Sequence, residues 1–228
     1  MEWSILVALF KHSPGGDGMF TRVLSQTAQT NLAVLGKSGL VQDAYLAGGS
    51  ALALHFGHRY SVDFDFFSKD PFDPRELSNG LQKLGSFKED QAKGITLLGV
   101  FNQVKFSYFQ YNYPLIAQTH IFSDVIIADP ADIAAMKLVA IMDRGTRRDY
   151  IDLYELTKHG ITIEKMFELY DKKYHAFENN KFSLIKALGY LDEAELDIMP
   201  QMITPVSWEE VKDFFAAESL RLGRKYLE

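Results

Sequence analysis

The sequence predicts an α+β fold, in which strands and helices are interspersed over roughly residues 1–128 and a mostly helical part follows over residues 129–228. Two observations predict it. Residues 62–67 alternate between apolar and acidic positions, and a period of two is typical of a β-strand. From Asp129 onward the pattern becomes helical, beginning with an Asp suited to cap a helix and a Pro suited to its first turn.

The other elements follow from apolar periodicity and from the positions of Gly and Pro. Before residue 129 the patterns first predict a helix at 18–38, a strand at 41–47, a short helix at 50–56 and the strand at 62–67. A helix follows, which begins at Pro71 and Pro74 and ends at Leu84. Two or three antiparallel strands within 86–111 and a strand within 120–128 complete this part. In the helical part Gly145 breaks the first helix, Thr146 caps a second that reaches residue 159, and at least two more follow.

Composition is that of an ordinary globular protein, with 47% hydrophobic and 24% charged residues in a length of 228. The chain contains no cysteine, which excludes disulfides, thiolate catalysis and cysteine-ligated zinc and fits a reducing cytoplasm. No apolar run approaches the roughly 18 residues that cross a bilayer, and the N-terminus lacks the basic region and cleavage site of a signal peptide. We therefore predict a cytoplasmic protein with no membrane partner.

Two aspartates, Asp63 and Asp65, lie one residue apart on the strand predicted at 62–67. Side chains at positions i and i+2 of a strand point to the same face, with Cα atoms about 6.5 to 7 Å apart. Two carboxylates at that spacing can share a Mg²⁺ ion, a hard cation that prefers oxygen ligands and substrate phosphates. The plainer alternative is the solvated face of an edge strand, but the phenylalanines that alternate with the aspartates favour the functional interpretation.

A Gly-Gly-Ser turn, Gly48 to Ser50, separates an apolar run from a short predicted helix. Glycine lets backbone N–H groups approach a phosphate closely, and a helix N-terminus favours negative charge. The Ser50 hydroxyl has two candidate roles, donation to a phosphate oxygen or capping of the helix. A Gly-Gly pair alone is a common turn, but its combination with the paired acids predicts a site that holds phosphates beside a metal ion.

Two segments carry a family resemblance. Residues 48–67, GGSALALHFGHRYSVDFDFF, resemble the nucleotidyltransferase superfamily, whose signature is Gly-Ser, a short spacer and Asp-x-Asp. More narrowly, they resemble the AbiEii/AbiGii-type abortive-infection toxins, with their Gly-Gly-Ser/Thr start, His-Arg-x-Ser element and Asp-x-Asp-Phe-Phe end. Residues 136–156, MKLVAIMDRGTRRDYIDLYEL, resemble the Lys helix and the Arg-Asp-x-x-Asp-Leu block of the same family.

The resemblance implies a nucleotidyltransferase-type mixed sheet flanked by helices in residues 1–128, and a helical part in residues 129–228 that completes the active-site cleft. It implies an enzyme that transfers a nucleoside monophosphate from an NTP to an acceptor, either tRNA or a protein. It also implies a toxin of a toxin–antitoxin or phage abortive-infection system, with a cognate antitoxin as partner.

Each matching residue takes a role from the resemblance. The implied catalytic residues are Asp63, Asp65, Lys137, Asp149 and Asp152. The implied nucleotide-binding residues are Gly48, Gly49, Ser50, Lys137 and Arg148. The metal, Mg²⁺ or Mn²⁺, would be held by Asp63 and Asp65.

The sequence departs from the family pattern in one respect. Many active nucleotidyltransferases carry a third carboxylate on a neighbouring strand, whereas the candidate strand at 104–110 offers Lys105 and Ser107 but no acid. We expect either that Asp149 or Asp152 serves as general base or that none is needed. The plainer alternative for Asp149 is that it simply favours the N-terminus of the second helix.

Helix geometry groups Lys137 with Arg144 and Arg148, which lie seven and eleven residues later. At about 100° per residue the three side chains fall within a narrow arc if one continuous helix carries them, but Gly145 opposes that continuity. The plainer alternative for Arg148 is an i,i+4 pair with Asp152, worth a few tenths of a kcal/mol.

Two other functions compete with a nucleotidyltransferase toxin. The missing third acid motivates a catalytically degenerate module that binds a nucleotide or a protein. The net charge of −6 slightly favours a small cationic substrate, such as an antibiotic, over RNA, which would need a local basic patch. Tyr111 and Tyr113 are candidates for base stacking. His58 and Arg59 are expected to orient the loop before the Asp63 strand.

Overall fold

The computed structural model describes residues 18–227, which divide into two compact units. The first comprises the described residues up to Asn112 together with Thr119–Ala128, and the second comprises Tyr113–Gln118 and the residues from Asp129 onward. The N-terminal segment to which the signal-peptide prediction applies lies outside the described residues. The predicted roles of residues 1–128 and 129–228 stay predictions.

The first unit contains a sheet that, within the described residues, has seven strands. The strands are β1 (Ala44–Ala47), β2 (Asp63–Ser68), β3 (Phe87–Lys93), β4 (Thr96–Phe101), β5 (Val104–Gln110), β6 (His120–Phe122) and β7 (Val125–Ile127). The accompanying helices are α1 (Gln26–Ser38), α2 (Gly48–Phe56) and α3 (Pro74–Leu84), preceded by a 3₁₀ turn at Thr21–Val23.

The strand order is β3-β4-β5-β2-β1-β7-β6. The pairs β2–β5 and β1–β7 are parallel, whereas β1–β2, β3–β4, β4–β5 and β6–β7 are antiparallel. The sheet is therefore mixed, as predicted. β2 lies between β5 and β1 in the middle of the sheet, so the alternative of a solvated edge strand is wrong for the Asp63 strand.

Strand β2 has one face in the core. Phe64 and Phe66 are fully buried, and the Phe66 ring lies 5.5 Å from that of Phe106 and 6.4 Å from that of Tyr108 on β5. Alternation along the strand places Asp63 and Asp65 on the other face, where both are half-buried. The period-two prediction for this strand is confirmed.

Two elements begin later than predicted. The first long helix starts at Gln26 rather than at residue 18, because Ser25 caps it and its Oγ accepts from the N–H of Ala28 at 3.1 Å. Strand β1 starts at Ala44, because residues 41–43 form a turn.

The strand predicted within 120–128 is a hairpin of two short strands. Ser123 and Asp124 adopt positive φ angles of 52° and 60° and reverse the chain between β6 and β7. The strands predicted within 86–111 number three, and Asn102 and Gln103 make a similar positive-φ turn between β4 and β5. Runs of apolar residues predicted these strands, but the tight turn within 120–128 lacks glycine and was missed.

The described residues of the second unit are mainly helical. Its helices are α4 (Pro130–Asp143), α5 (Arg147–Lys158), α6 (Ile163–Tyr174), α7 (Phe177–Gly189), α8 (Asp192–Leu196) and α9 (Trp208–Leu227). The predicted cap is present, since the Asp129 carboxylate accepts from the N–H of Ala131 at 2.8 Å. Among residues 18–227, the helices include none with both the length and the apolarity to span a membrane.

Helices α4 and α5 are separate. The break falls at Gly145, which has a φ of 50°, and α5 begins at Arg147. The break predicted at Gly145 is confirmed, so the continuous helix on which a single arc of Lys137, Arg144 and Arg148 depended does not form. Two aspartates of α5, Asp149 and Asp152, instead contact Lys137 on α4, as described below.

A buried ion pair joins the segment 113–118 to the helices of the second unit. Lys173 Nζ on α6 lies 2.7 Å from Asp132 Oδ1 on α4, and both side chains are fully buried. The Asp132 carboxylate also accepts from the N–H groups of Ile116 and Ala117 at 3.1 Å, and Lys173 donates to the carbonyl of Pro114 at 2.8 Å. These bonds explain why this segment groups with the helices.

Candidate active site

Strand pairing brings the Gly-Gly-Ser turn against the paired acids. Ala47, the last residue of β1, pairs in register with Asp65 on β2, and Gly48 follows at once with a φ of 68°. A Cβ on Gly48 would lie 2.9 Å from Asp65 Oδ2, closer than such atoms can approach. The turn therefore passes directly over the Asp65 carboxylate, and only glycine permits that approach.

The second glycine of the turn packs against an arginine. A Cβ on Gly49 would lie 2.2 Å from Arg59 Nη2, and the Arg59 side chain is buried. Arg59 Nη1 also donates to the carbonyl of Tyr60 at 3.1 Å. A guanidinium thus lies beside the N-terminus of α2, where both the cation and the helix dipole favour an anion.

Ser50 connects the turn to the acid strand. Its hydroxyl is buried, donates to the backbone carbonyl of Asp63, and lies 2.9 Å from Ser61 Oγ. The residue at the N-cap of α2 is Ala47, so of the two roles considered for the Ser50 hydroxyl, helix capping is excluded. The backbone N–H groups of the turn are the better candidates for a phosphate contact.

The neighbour of β2 on its other side is β5, and the register identifies the residues opposite the acids. Asp63 pairs with Lys105, which is exposed, and Asp65 pairs with Ser107, which is half-buried. As expected from the sequence, β5 is therefore a neighbour of the strand that carries the two acids, and it places no carboxylate opposite them.

The pair Asp63 and Asp65 fits a divalent cation. Both carboxylates lie on one face of β2, half-buried, beside the turn that can receive phosphates. Mg²⁺ usually binds through one or two carboxylates and takes its remaining ligands from water and substrate phosphates. Within residues 18–227 no group of three or more His, Cys, Asp or Glu side chains is placed to hold a metal. Two carboxylates and a phosphate ligand are thus the donor set that the described residues support.

Three of the implied residues of the helical part, Lys137, Asp149 and Asp152, form a second, buried cluster. Lys137 Nζ on α4 lies 2.8 Å from Asp149 Oδ1 and 2.6 Å from Asp152 Oδ2 on α5, and all three side chains are buried. The other Asp149 oxygen accepts from Arg144 Nε at 3.1 Å and from Thr146 Oγ1 at 2.6 Å. The cluster joins the two helices across the break at Gly145.

The protonation state of Asp149 follows from these contacts. Burial by itself would raise its pKa, but the charge of Lys137 and the hydrogen bond and charge of Arg144 outweigh burial and hold the pKa well below its ordinary value. Asp149 is therefore ionised at neutral pH and is a weak proton acceptor. Its low pKa makes Asp149 a poor candidate for general base.

Two consecutive arginines at the start of α5 have different surroundings. Arg147 donates to the carbonyls of Ala194 and Glu195 at 2.9 and 3.0 Å and stacks on Trp208, with its guanidinium carbon 4.7 Å from the ring centre. Arg148 is exposed. The structural role of Arg147 was not predicted from the sequence. The sequence offered one indication of it: neighbouring residues on a helix project about 100° apart, so Arg147 and Arg148 cannot share the same surroundings.

The residues predicted to have supporting roles, His58, Tyr111 and Tyr113, lie in different environments. His58 is fully buried, and its role in orienting the loop stays a prediction. Tyr113 is 44% exposed and its ring meets that of Tyr174 at 4.7 Å, whereas Tyr111 is half-buried and its ring contacts that of Phe67 at 5.3 Å. Of the two tyrosines, Tyr113 offers the more accessible surface.

A family model described as "Nucleotidyl transferase AbiEii toxin, Type IV TA system" matches residues 32–127 and 111–225. This chain belongs to the AbiEii nucleotidyl transferase toxin family. Both matched segments include the residues described above, since the first contains the turn and the paired acids and the second contains the Lys137 cluster. The predicted family, the α+β fold class and the nucleotidyltransferase class of enzyme are confirmed.

Three known proteins resemble this AbiEii-family chain to different degrees. The uncharacterized protein aq_aa25 of Aquifex aeolicus (strain VF5) is 40% identical over 196 residues, which cover 83% of this chain and 91% of that protein. The crystal structure of JHP933 from Helicobacter pylori matches with a TM-score of 0.54 at 20% identity and covers 89% of this chain and 94% of that one, a similarity of fold. MenT4, nucleotidyltransferase toxin Rv2826c from Mycobacterium tuberculosis H37Rv, gives a TM-score of 0.48 at 15% identity, covering 87% and 88%.

Proposed function

We propose that this AbiEii-family chain transfers a nucleoside monophosphate from an NTP to an acceptor hydroxyl, with a divalent ion, Mg²⁺ or Mn²⁺, held by Asp63 and Asp65. The observation that supports the proposal is the approach of Gly48 to Asp65 Oδ2. It puts backbone N–H groups at the start of α2 next to two carboxylates, so that phosphate and metal ligands are neighbours.

The residues of the first unit have separate tasks in this proposal. The turn Gly48 to Ser50 orients the triphosphate through its N–H groups, and Arg59 beside Gly49 adds positive charge. Ser50 fixes the turn to β2 through the Asp63 carbonyl and so keeps both halves of the site in register. The bound metal would neutralise charge on the attacking and leaving oxygens.

The residues of the helical part are proposed to act on the nucleotide as well. Arg148 is exposed and is the better of the two adjacent arginines to bind a phosphate. Lys137 is the second proposed nucleotide ligand, and Asp149 and Asp152 hold its ammonium in place. Because the pKa of Asp149 is lowered, proton removal from the acceptor falls to Asp152 or to solvent.

The proposed acceptor is cellular RNA, with tRNA as the first candidate and a protein acceptor as the alternative outcome. We also propose that the protein is a cytoplasmic toxin and that a cognate antitoxin restrains it. The family description, which names a toxin of a Type IV toxin–antitoxin system, supports the toxin and antitoxin roles. The net charge of −6 means that RNA binding would depend on local cations rather than on overall attraction.

The test is incubation of the full chain with each of the four α-labelled NTPs, Mg²⁺ and total cellular RNA. We expect label to enter RNA, and we expect Asp63→Asn or Asp65→Asn to reduce transfer by at least a hundredfold, because the metal loses a carboxylate. Asp90→Asn is the matched control, since Asp90 is exposed on β3 and its loss should leave transfer unchanged.

Three results would contradict the proposal in different ways. NTP binding by calorimetry without pyrophosphate release would favour the catalytically degenerate binding module. Label transfer to an aminoglycoside or another small cation, but not to RNA, would favour the antibiotic-modifying alternative. Equal transfer by wild type and both Asp variants would remove the proposed metal site.

A further inference from the structure

Lys105 shares a sheet face with the two candidate metal ligands. It is the register partner of Asp63 in the parallel pair β2–β5. Further along the same face, Phe67 and Phe109 are also register partners and their rings lie 5.5 Å apart, while Phe66 and Tyr108 contact each other on the buried face. Register partners in a sheet project to the same side, so the exposed Lys105 side chain lies beside the Asp63 carboxylate.

This arrangement changes the charge of the site. Asp63 and Asp65 supply two negative charges, and Lys105 supplies one positive charge from the neighbouring strand, on which a third acid would add a negative one. No further His, Cys, Asp or Glu among residues 18–227 completes a group of three. Two divalent ions would bring four positive charges next to the Lys105 ammonium, and the repulsion opposes the second ion.

Resting on the proposed function, we propose that Lys105 takes the place of a second metal ion. The site then holds one divalent ion on Asp63 and Asp65, and the Lys105 ammonium contacts a phosphate of the NTP that a second ion would otherwise neutralise. Lysine suits this task because it is a point charge on a flexible four-carbon stem, and it is a common phosphate ligand.

The proposal predicts opposite effects on two ligands when Lys105 is made neutral. In Lys105→Gln the repulsion on the metal is lost, so Mn²⁺ should bind about tenfold more tightly than to wild type. The same variant should bind NTP more weakly, also by about tenfold, because a charge-assisted contact is lost. A residue with a purely structural role would not strengthen one ligand and weaken the other.

The metal experiment counts Mn²⁺ bound to the full chain by electron paramagnetic resonance of the free ion, without nucleotide. Wild type should bind one Mn²⁺ that the Asp63→Asn/Asp65→Asn double variant loses, and Lys105→Asp should bind a second. Lys88→Gln is the matched control: Lys88 is exposed on β3 of the same sheet, opposite Val100, and its removal changes the net charge equally. It should leave the Mn²⁺ affinity unchanged.

The nucleotide experiment measures the affinity for ATP, GTP, CTP and UTP in turn by calorimetry with Mg²⁺ present. Two Mn²⁺ ions on the wild-type acid pair, or a Lys105→Gln variant within twofold of wild type for both Mn²⁺ and NTP, would overturn the proposal. Neither measurement needs turnover. A chain that binds one Mn²⁺ and an NTP through Lys105 but transfers no label would refute the proposed transfer reaction and leave the Lys105 assignment standing.

Discussion

Gly48 is a residue at which two independent constraints require glycine. Its φ of 68° lies in the left-handed region, and a Cβ added there would lie 2.9 Å from Asp65 Oδ2, so a side chain at this position must displace that carboxylate. Gly94, in the β3–β4 hairpin, has a similar φ of 60° but has open space around it. The comparison separates the cost of backbone strain from the cost of disturbing the acid pair.

We therefore predict different outcomes for Gly48→Ala and Gly94→Ala. Both should lose about 1 kcal/mol of unfolding free energy, because each forces a side chain into a left-handed conformation. Only Gly48→Ala should also displace Asp65 and lower Mn²⁺ affinity and nucleotidyl transfer by tenfold or more. Urea denaturation and the Mn²⁺ titration measure the two effects. Equal metal affinity in the two variants would contradict the role given to the close approach.

Among the elements, the junction of α4 and α5 depends on buried charges rather than on apolar packing alone. Lys137 on α4 meets Asp149 and Asp152 on α5, and Arg144 and Thr146 complete the shell of Asp149. Such a cluster costs desolvation, so its net stabilisation is modest, but loss of one carboxylate removes a charged partner from Lys137 and from the other donors that contact that carboxylate.

Asp149→Asn should make the protein less stable at pH 7, by about 2 kcal/mol, because Lys137 loses one carboxylate and keeps that of Asp152, and Arg144 and Thr146 lose the charged oxygen that they contact. The folded-state pKa of Asp149 lies well below the ordinary value of an aspartate, so its stabilising effect is fully present above that ordinary value and is lost as the pH falls towards the folded-state pKa. The difference between wild type and variant should therefore shrink below about pH 4.

Urea unfolding at a series of pH values from 7 to 3 measures this difference. The control is Asp213→Asn, since Asp213 is exposed on α9 and its loss should produce no comparable pH-dependent change. A deficit in Asp149→Asn that stays constant as the pH falls would show that the carboxylate charge is not what joins the helices.

At the scale of the whole molecule, the chain leaves the first unit after Asn112, contributes Tyr113–Gln118 to the second, and returns for β6 and β7. The Lys173–Asp132 pair is what ties this short segment to α4 and α6. Lys172, next in sequence, donates to the carbonyl of Ile116 at 2.7 Å from an exposed position. Both lysines donate a hydrogen bond to the same segment, but only Lys173 is also part of a buried ion pair. Replacing each in turn therefore separates the effect of the ion pair from that of a single exposed hydrogen bond.

Lys173→Met should reduce the unfolding free energy by about 3–5 kcal/mol and expose residues 113–118 to limited proteolysis, because the Asp132 charge stays buried without its partner. Lys172→Met should cost about 1 kcal/mol or less and leave the proteolytic pattern unchanged. Denaturation and mass spectrometry of the fragments measure both. Similar losses in the two variants would mean that the ion pair does not hold the segment.

The predicted parts of the fold are those that local physics controls. The Asp63 strand was evident from its period of two, and the start of α4 was evident from Asp129 and Pro130, because each pattern acts within one element. The register of β5 against β2 was not predictable, because the apolar pattern of the two strands is compatible with more than one alignment. The different roles of Arg147 and Arg148 were equally hidden, because they depend on Ala194 and Glu195, which are remote in sequence.

By itself the sequence determined the family, the fold class, the turn at Gly48 and the acid pair at Asp63 and Asp65, because glycine conformation and strand alternation act over a few residues. The tertiary structure decided that Gly48 lies over Asp65, that Lys105 is the residue of β5 in register with Asp63, and that Lys173 pairs with Asp132. These are contacts between distant segments, and they form only when strand pairing and helix packing bring those segments together.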